Sequence, residues 1–356
     1  MEHEWYVEYL DRSKFDIEFY LFKSYDSELY RFIKQHRLPC VDYNLPSKFY
    51  IPFYIIFFWF KLLFRRPDFV HCHLFQASII GITAAWLAGI KKRIYTRHHA
   101  DVHHVYHPNA VKYDRWVNSK ATHIIAVSFN IKTLLQNLEQ VSADKITVIQ
   151  HGIPAALINK TISLSDVEDM KAKYNLAGRY PIVGVISRFV PEKGIQYIIP
   201  AFKTLLEKYP NAILILANAN GKYAGTVDVL LQTLPPTSFL KIKFENNINP
   251  LFKAFDVFVH APIDPTCEAF GQVYIEALSL GVPMVCTLSG IACDIIQPEK
   301  NALVAKYKDA VSLYEQMDRL LSNKELREQI RSQGSDDVKK LTFEEKYQKI
   351  EAVYQS

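Results

Sequence analysis

Two carboxylates eight positions apart, Glu268 and Glu276, bracket the run Glu268-Ala-Phe-Gly-Gln-Val-Tyr-Ile-Glu276, which continues Ala-Leu-Ser-Leu-Gly281-Val-Pro283. The chemistry this pattern offers is anion binding. Gly271 stands where a loop would hand over to an apolar helix carrying Val273, Ile275, Ala277 and Leu278, and Gly281 with Pro283 would end that helix. A helix beginning there presents exposed backbone N–H groups and the positive end of its dipole, which favours a phosphate even without a lysine. Were the segment wholly helical, the carboxylates would lie roughly 12 Å apart along its axis, with space for a diphosphate between them. Taken alone, two glutamates at this spacing more often mark a solvated helix face.

A second constellation changes that balance. Val185-Ile-Ser187-Arg188-Phe-Val-Pro-Glu-Lys193-Gly194 reads as a buried strand, a short polar loop and a helix from about Ile195 to Leu206. Arg188 and Lys193 then fall at the C-terminal edge of a strand, where open parallel sheets hold their ligands, and two fixed cations there could neutralise a diphosphate. Each taken singly has the plainer reading of ordinary surface charge.

With these residues in view, the chain resembles the retaining glycosyltransferases of the GT-B fold, the family 4 type that includes glycogen synthases and bacterial mannosyl- and polysaccharide-forming transferases. The resemblance is carried by Ser187-Arg188 with Lys193-Gly194, and by Glu268-Ala-Phe-Gly271 with Glu276-Ala-Leu and Gly281-Val-Pro283. Weaker agreement runs through Pro67-Asp-Phe-Val-His-Cys-His73, Tyr95-Thr-Arg-His98, Ala126-Val-Ser128 and Lys145-Ile-Thr-Val-Ile-Gln-His-Gly152. It implies an α/β architecture of two Rossmann-like parallel-sheet domains facing a cleft, the acceptor on the first and a nucleotide-sugar donor on the second. It also implies sugar transfer to an acceptor hydroxyl with retained configuration, in bacterial surface polysaccharide or glycolipid assembly. By the same resemblance His98, Glu268, Arg188 and Lys193 are catalytic, and Arg188, Lys193, Glu268, Ala269, Phe270, Gly271, Gln272 and Glu276 hold the donor. Glu268 would meet hydroxyls of the transferred sugar, Glu276 the ribose, and His98 would act from the opposite domain. No cofactor and no metal is implied, because cationic side chains stand at the diphosphate. Two other classes stay open: a nucleotide-sugar epimerase-like enzyme of the same architecture, and a catalytically silent partner subunit.

The elements that must position these residues follow from alternating short apolar runs and longer amphipathic stretches, the pattern of βαβ units in a parallel sheet. Strands are expected at 69–73, 93–96, 123–127, 146–149, 182–186, 213–217, 241–244, 257–260 and 284–287. The turn-rich Gln150-His-Gly-Ile-Pro154 is the best boundary. It gives an acceptor-side domain over 1–152, a donor domain over 153–335 and a helical tail over 336–356 that crosses back to the first. Two departures from the family stand out. Met1-Glu-His-Glu-Trp5 enters directly into a helix, with 16–22 as what would be the second strand, so the first domain lacks its first strand and glycine-rich loop. Ala217-Asn-Ala-Asn220-Gly221 replaces a tighter glycine pair near the nucleotide.

Composition narrows the remaining choices. At 356 residues, 49% hydrophobic and 22% charged, the chain suits two compact domains. A net charge of +5 does not argue for nucleic acid but leaves room for a polyanionic or membrane-surface partner. Five cysteines without a C-x-x-C pair read as a reducing, cytoplasmic compartment. The most apolar window, Phe49 to Phe60 followed by Lys61-Leu-Leu-Phe-Arg65-Arg66, is too short and too interrupted to span a bilayer. It is either a core helix leading into the strand at Phe69, or an interfacial segment whose aromatics enter the headgroups while Lys48, Lys61, Arg65 and Arg66 meet anionic lipid. The second alternative would suit a lipid-linked acceptor at the inner face of the cell membrane. Of 12 histidines, His71, His73, His98, His99, His103, His104 and His107 crowd one region. H-x-H on a strand invites a metal, but no cysteine or carboxylate pattern completes a known site, although Asp101 lies among them.

Overall fold

The computed structural model describes residues 2–22, 27–43, 45–158 and 162–356, and divides into two compact units. One comprises Met1–Pro154 with Leu341–Ser356, the other Ala155–Lys340. Each is an α/β unit built on parallel strands, the architecture the resemblance implied.

In the second unit the strands are β7 (Ile182–Ile186), β8 (Ile213–Ala217), β9 (Phe239–Ile242), β10 (Val257–His260), β11 (Met284–Cys286) and β12 (Leu303–Val304). Their sequences, IVGVI, ILILA and VFVH among them, are nearly unbroken apolar runs, as expected of strands covered on both faces. The order is β12-β11-β10-β7-β8-β9, every pair parallel. From its other edge this is the doubly wound order with a switch point between β7 and β10, where the loops leaving two neighbouring strands diverge and open a crevice. Helix Ile195–Lys208 covers one face by burying Ile195, Ile198, Ile199, Phe202 and Leu205 at three- and four-residue intervals. β9 begins at Phe239 rather than at 241, because Phe244 is exposed and has left the sheet.

The first unit carries β1 (Phe19–Phe22), β2 (Cys40–Tyr43), β3 (Phe69–His73), β4 (Lys92–Arg97), β5 (His123–Ala126) and β6 (Ile146–Val148). Its strands fall in two sheets, β1-β2 and β3-β4-β5-β6, both parallel, and no strand among the described residues joins β1 to β3. The chain enters through helix Glu2–Tyr9, so the element before β1 is helical, as the opening residues suggested. β2 was not anticipated: four residues with a central aspartate make no apolar run.

Helix Phe343–Gln355 belongs to the first unit. Thr342 caps it by accepting from the Glu345 N–H, at the Thr-x-x-Glu spacing of a capping box. Phe343 packs against Trp5, Tyr6 and Tyr9, while Ile350 and Val353 join Ile94, Ile125 and Ile149 in one core cluster. No helix among the described residues is long and apolar enough to cross a membrane.

Candidate functional site

The loops leaving β7 and β10 meet at the switch point of the second unit. Pro191–Lys193 forms one tight turn, and Gly194 follows at φ +71° with its α-carbon so near the Ala261 carbonyl that an added Cβ would sit 1.8 Å from that oxygen. Only glycine fits there, and its approach brings Lys193 beside the loop that follows β10. The Lys193 ammonium is ion-paired with Glu268 Oε1, and His260, the last residue of β10, places Nε2 2.9 Å from the same oxygen. The Glu268 backbone N–H donates to the Ser289 hydroxyl at 3.2 Å, and the Ile291 N–H donates to the Phe270 carbonyl at 2.8 Å, so the loop after β11 braces this segment.

The electrostatics follow from that geometry. Burial by itself would raise the Glu268 carboxyl, but the His260 hydrogen bond and the Lys193 charge outweigh it and hold the group at about 2. Burial lowers His260 against the pull of Glu268, so the ring is neutral and donates through Nε2. Its Nδ1 is buried with no hydrogen-bond partner among the described residues, and so is the Ser187 hydroxyl.

The helix predicted after Gly271 runs Gln272–Ser279. Gly271 adopts φ +86°, and a Cβ there would press on the Tyr274 ring at 2.8 Å and lie 3.8 Å from the Glu268 carboxyl carbon. Lys193, Glu268 and the start of this helix are therefore one site. Glu268 itself lies in the loop, so the wholly helical picture of the two glutamates is corrected: the turn at Gly271 breaks the axis along which a 12 Å separation was expected. Glu276 sits within the helix, engaged by no side chain among the described residues, and burial pushes its carboxyl up to about 7. Arg188 is exposed just past β7 and makes no hydrogen bond or ion pair with a side chain among them. Ala269 and Gln272 are half-buried on either side of Phe270 and Gly271, and Phe270 is buried.

The histidines, one crowd in the sequence, separate onto two sides of the first unit's sheet because strand side chains alternate. His71 and His73 of β3 share a face. His71 bonds the Tyr354 hydroxyl at 2.6 Å and Thr96 Oγ1 at 2.8 Å, while His73 Nδ1 lies 3.0 Å from His98 Nε2. His98 stacks on His151, 5.5 Å between centroids, and His151 Nδ1 accepts from the Lys346 ammonium or amine at 2.8 Å. Burial lowers His151 to about 4 and Lys346 to about 7. On the other side Arg97, 1% exposed, donates to Asp114 at 2.8 Å and to Glu139 at 2.6 Å. His99 and His103 join Asp114, and His104 joins Glu139. One ligand atom each from His99, His103 and Asp114 lies within 4.8 Å of the others, a possible metal triad by distance. The Asp114 oxygen facing His99 also receives the Arg97 guanidinium, whose fixed charge competes with a cation. Asp101, within the same crowd in the sequence, is not part of this triad.

His260 escaped the sequence reading. Its signal was a single polar residue ending an apolar strand, which is common in cores, and only the position of Glu268 distinguishes it.

Comparison with known proteins agrees with this architecture. The description "Glycosyltransferase Family 4" matches residues 6–157 and "Glycosyl transferases group 1" matches 166–337. The capsular polysaccharide biosynthesis glycosyltransferase CapM of Staphylococcus aureus is 27% identical over 93% of this chain and 86% of its own length. The UDP-Gal:alpha-D-GlcNAc-diphosphoundecaprenol alpha-1,3-galactosyltransferase of Escherichia coli is 24% identical over 75% and 70%. The fold is shared with Anabaena Alr3699/HepE, solved in complex with UDP-glucose, at a TM-score of 0.84 and 20% identity over 99% of this chain and 94% of that one. Matched over both units in this way, the chain is a glycosyltransferase of the GT-B fold, Family 4 in its first unit and group 1 in its second.

Proposed function

We propose that the chain moves a sugar from a nucleoside-diphosphate donor to an acceptor hydroxyl, with retention of configuration, in the assembly of a bacterial surface polysaccharide or glycolipid. The observation that carries this reading is the Lys193–Glu268–His260 cluster against the start of helix Gln272–Ser279, at the crevice between β7 and β10. An ammonium has three N–H donors. With one directed at Glu268, the others are available to phosphate oxygens, and Arg188 adds a second cation. As the glycosidic bond breaks, charge grows on the diphosphate, and donors fixed at that point act more strongly in the transition state than in the ground state. The backbone from Ala269 to Gln272 adds the positive end of a helix dipole. Glu268 takes hydroxyls of the transferred sugar, Glu276 those of the ribose, and His98 of the first unit is assigned a sugar hydroxyl as well. The reading gives the leaving group to these side chains and not to a metal ion or other cofactor.

The state of Glu268 argues against its serving as the base of an inverting displacement. Such a displacement needs a general base able to take the acceptor's proton. A carboxylate held at about 2 and already paired with Lys193 is a weak base for that task. The capsular and diphosphoundecaprenol relatives support a polymer or lipid-linked acceptor, and the UDP-glucose complex of the structural neighbour supports a nucleotide-sugar donor.

The test is ligand linkage followed by product analysis. Titrating the purified chain with UDP, GDP, ADP and CDP should raise its melting temperature for one base above the rest, by about 2.7 kcal/mol of stabilisation at a hundredfold excess over Kd. With the matching sugar nucleotides, NMR should find the donor's anomeric configuration in the product. No shift with any nucleotide would sink the donor site, and an inverted product would sink retention.

A further inference from the structure

Helix Ile51–Arg65 leads into β3 and is apolar on both sides. Its inner face, with Phe58 and Leu62 buried and Tyr54, Ile55 and Trp59 beside them, packs on Ile80, Ala84 and Ala85. The outer face repeats the composition and stays exposed: Phe53, Ile56, Phe57, Phe60 and Phe64 recur every three or four residues, Phe57 edge-on to Tyr43, and Phe49 precedes the helix. At about 100° per residue this stripe lies opposite Phe58 and Leu62. Phe49 is 83% exposed, Phe53 63%, Phe60 50% and Phe64 86%. A surface helix ordinarily turns charge outward, and a contiguous exposed apolar stripe marks an interaction site.

The charges choose the occupant. Lys48 is exposed at one end of the stripe and Arg65 and Arg66 at the other, Arg65 with its Nε 3.8 Å from Glu18, and no acidic residue lies in the stripe itself. A second copy laid face to face in either direction would set these cations against cations. A bilayer surface offers apolar depth under the rings and phosphate anions at both ends.

We infer that helix 51–65 docks flat on an anionic lipid bilayer, its phenylalanine stripe in the acyl–headgroup boundary and Lys48, Arg65 and Arg66 on lipid phosphates. This surface goes beyond sugar transfer and stands without it, since neither donor nor acceptor enters the argument.

Flotation of the full chain with lipid vesicles tests it. The chain should float with vesicles of equal parts phosphatidylcholine and phosphatidylglycerol, and at least about tenfold less with phosphatidylcholine alone. Phe53→Ser, Phe60→Ser and Phe64→Ser together should cut flotation by at least about tenfold. Because these side chains are exposed, melting temperature and nucleotide-induced stabilisation should stay unchanged, which separates loss of docking from loss of the donor site. Lys48→Gln with Arg65→Gln should cost about fivefold per charge, less as salt rises. A chain that ignores anionic vesicles, or a triple variant that floats as well as the parent, overturns the inference. A dimer that the triple variant dissociates, without vesicle binding, hands the stripe to a second copy and overturns it too.

Discussion

Each unit sets a lysine near a buried histidine, half-buried Lys193 in the second and buried Lys346 in the first, with different electrostatic outcomes. In the second unit Lys193 and His260 both reach the Glu268 carboxylate, which stays ionised at about 2 despite burial. In the first unit Lys346 meets the neutral imidazole of His151, and burial brings the amine down to about 7 and the ring to about 4. Hydrogen bonding and charge from His260 and Lys193 keep Glu268 ionised against its burial, whereas burial is the influence that lowers Lys346 and His151. The second unit thus keeps fixed charges where an anionic leaving group would need them. The row from His71 to Lys346 is joined by hydrogen bonds and ring contacts and offers donors and acceptors suited to hydroxyls.

Arg97 offers the severest way to break this contrast, because it carries the charged pattern into the first unit. Asp114 and Glu139 share its guanidinium almost without solvent. Arg97→Met should leave two buried carboxylates without their cation and cost about 3–5 kcal/mol, read as a lower urea midpoint at unchanged slope. Adding Asp114→Asn and Glu139→Gln should recover part of that loss. A cost below about 1 kcal/mol would mean that His99, His103 and His104 hold the carboxylates unaided.

Lys193→Ala tests the other side. Loss of one fixed donor at a leaving group should cost about 10²–10³ in turnover. A reading of Lys193 as a loop cation expects no change in stability. Its pairing with a buried carboxylate changes that expectation: Glu268 keeps only His260, and the melting transition should fall by about 1–3 kcal/mol. Glu268→Gln on the Lys193→Ala background should return much of the stability and none of the turnover. Near-normal turnover in the single variant would remove Lys193 from the reaction.

How far the sequence alone reached depends on how local each signal is. The apolar runs at 182–186, 213–217 and 257–260 are buried strands because nothing but a doubly covered sheet suits them, and Gly271 marked a helix start that the backbone adopts. The order of those strands was not legible in the apolar runs, and only the family resemblance put Lys193 and Glu268, 75 residues apart in sequence, in one site. The histidine crowd misled for the same reason. Spacing along the chain does not say which side of β4 faces a helix that arrives only at Phe343, so Lys346 and Tyr354 had no visible tie to His151 and His71. Arg97 enters the sequence reading only as the neighbour of His98, and its burial depends on two carboxylates from elements far along the chain.

Glu276 sharpens the comparison from within the second unit, where it is a carboxylate that burial raises and that no ion pair engages among the described residues. Burial raises it to about 7 from an ordinary 4.5, so between those values the folded chain binds more protons than the unfolded one, and stability falls as pH rises. Below pH 4.5 both states are protonated and no penalty exists; above 7 it is complete. Glu276→Gln cannot ionise, so its melting temperature should match the parent's near pH 4 and exceed it at pH 8 by the equivalent of about 3 kcal/mol. An offset that does not grow with pH would show that burial does not govern this carboxyl. Ribose hydroxyls donating to Glu276 favour its charged form and should pull its titration downward. A saturating nucleoside diphosphate should therefore shrink the pH 8 offset as measured on the bound chains, and if Glu276 touches no ribose the offset should survive intact.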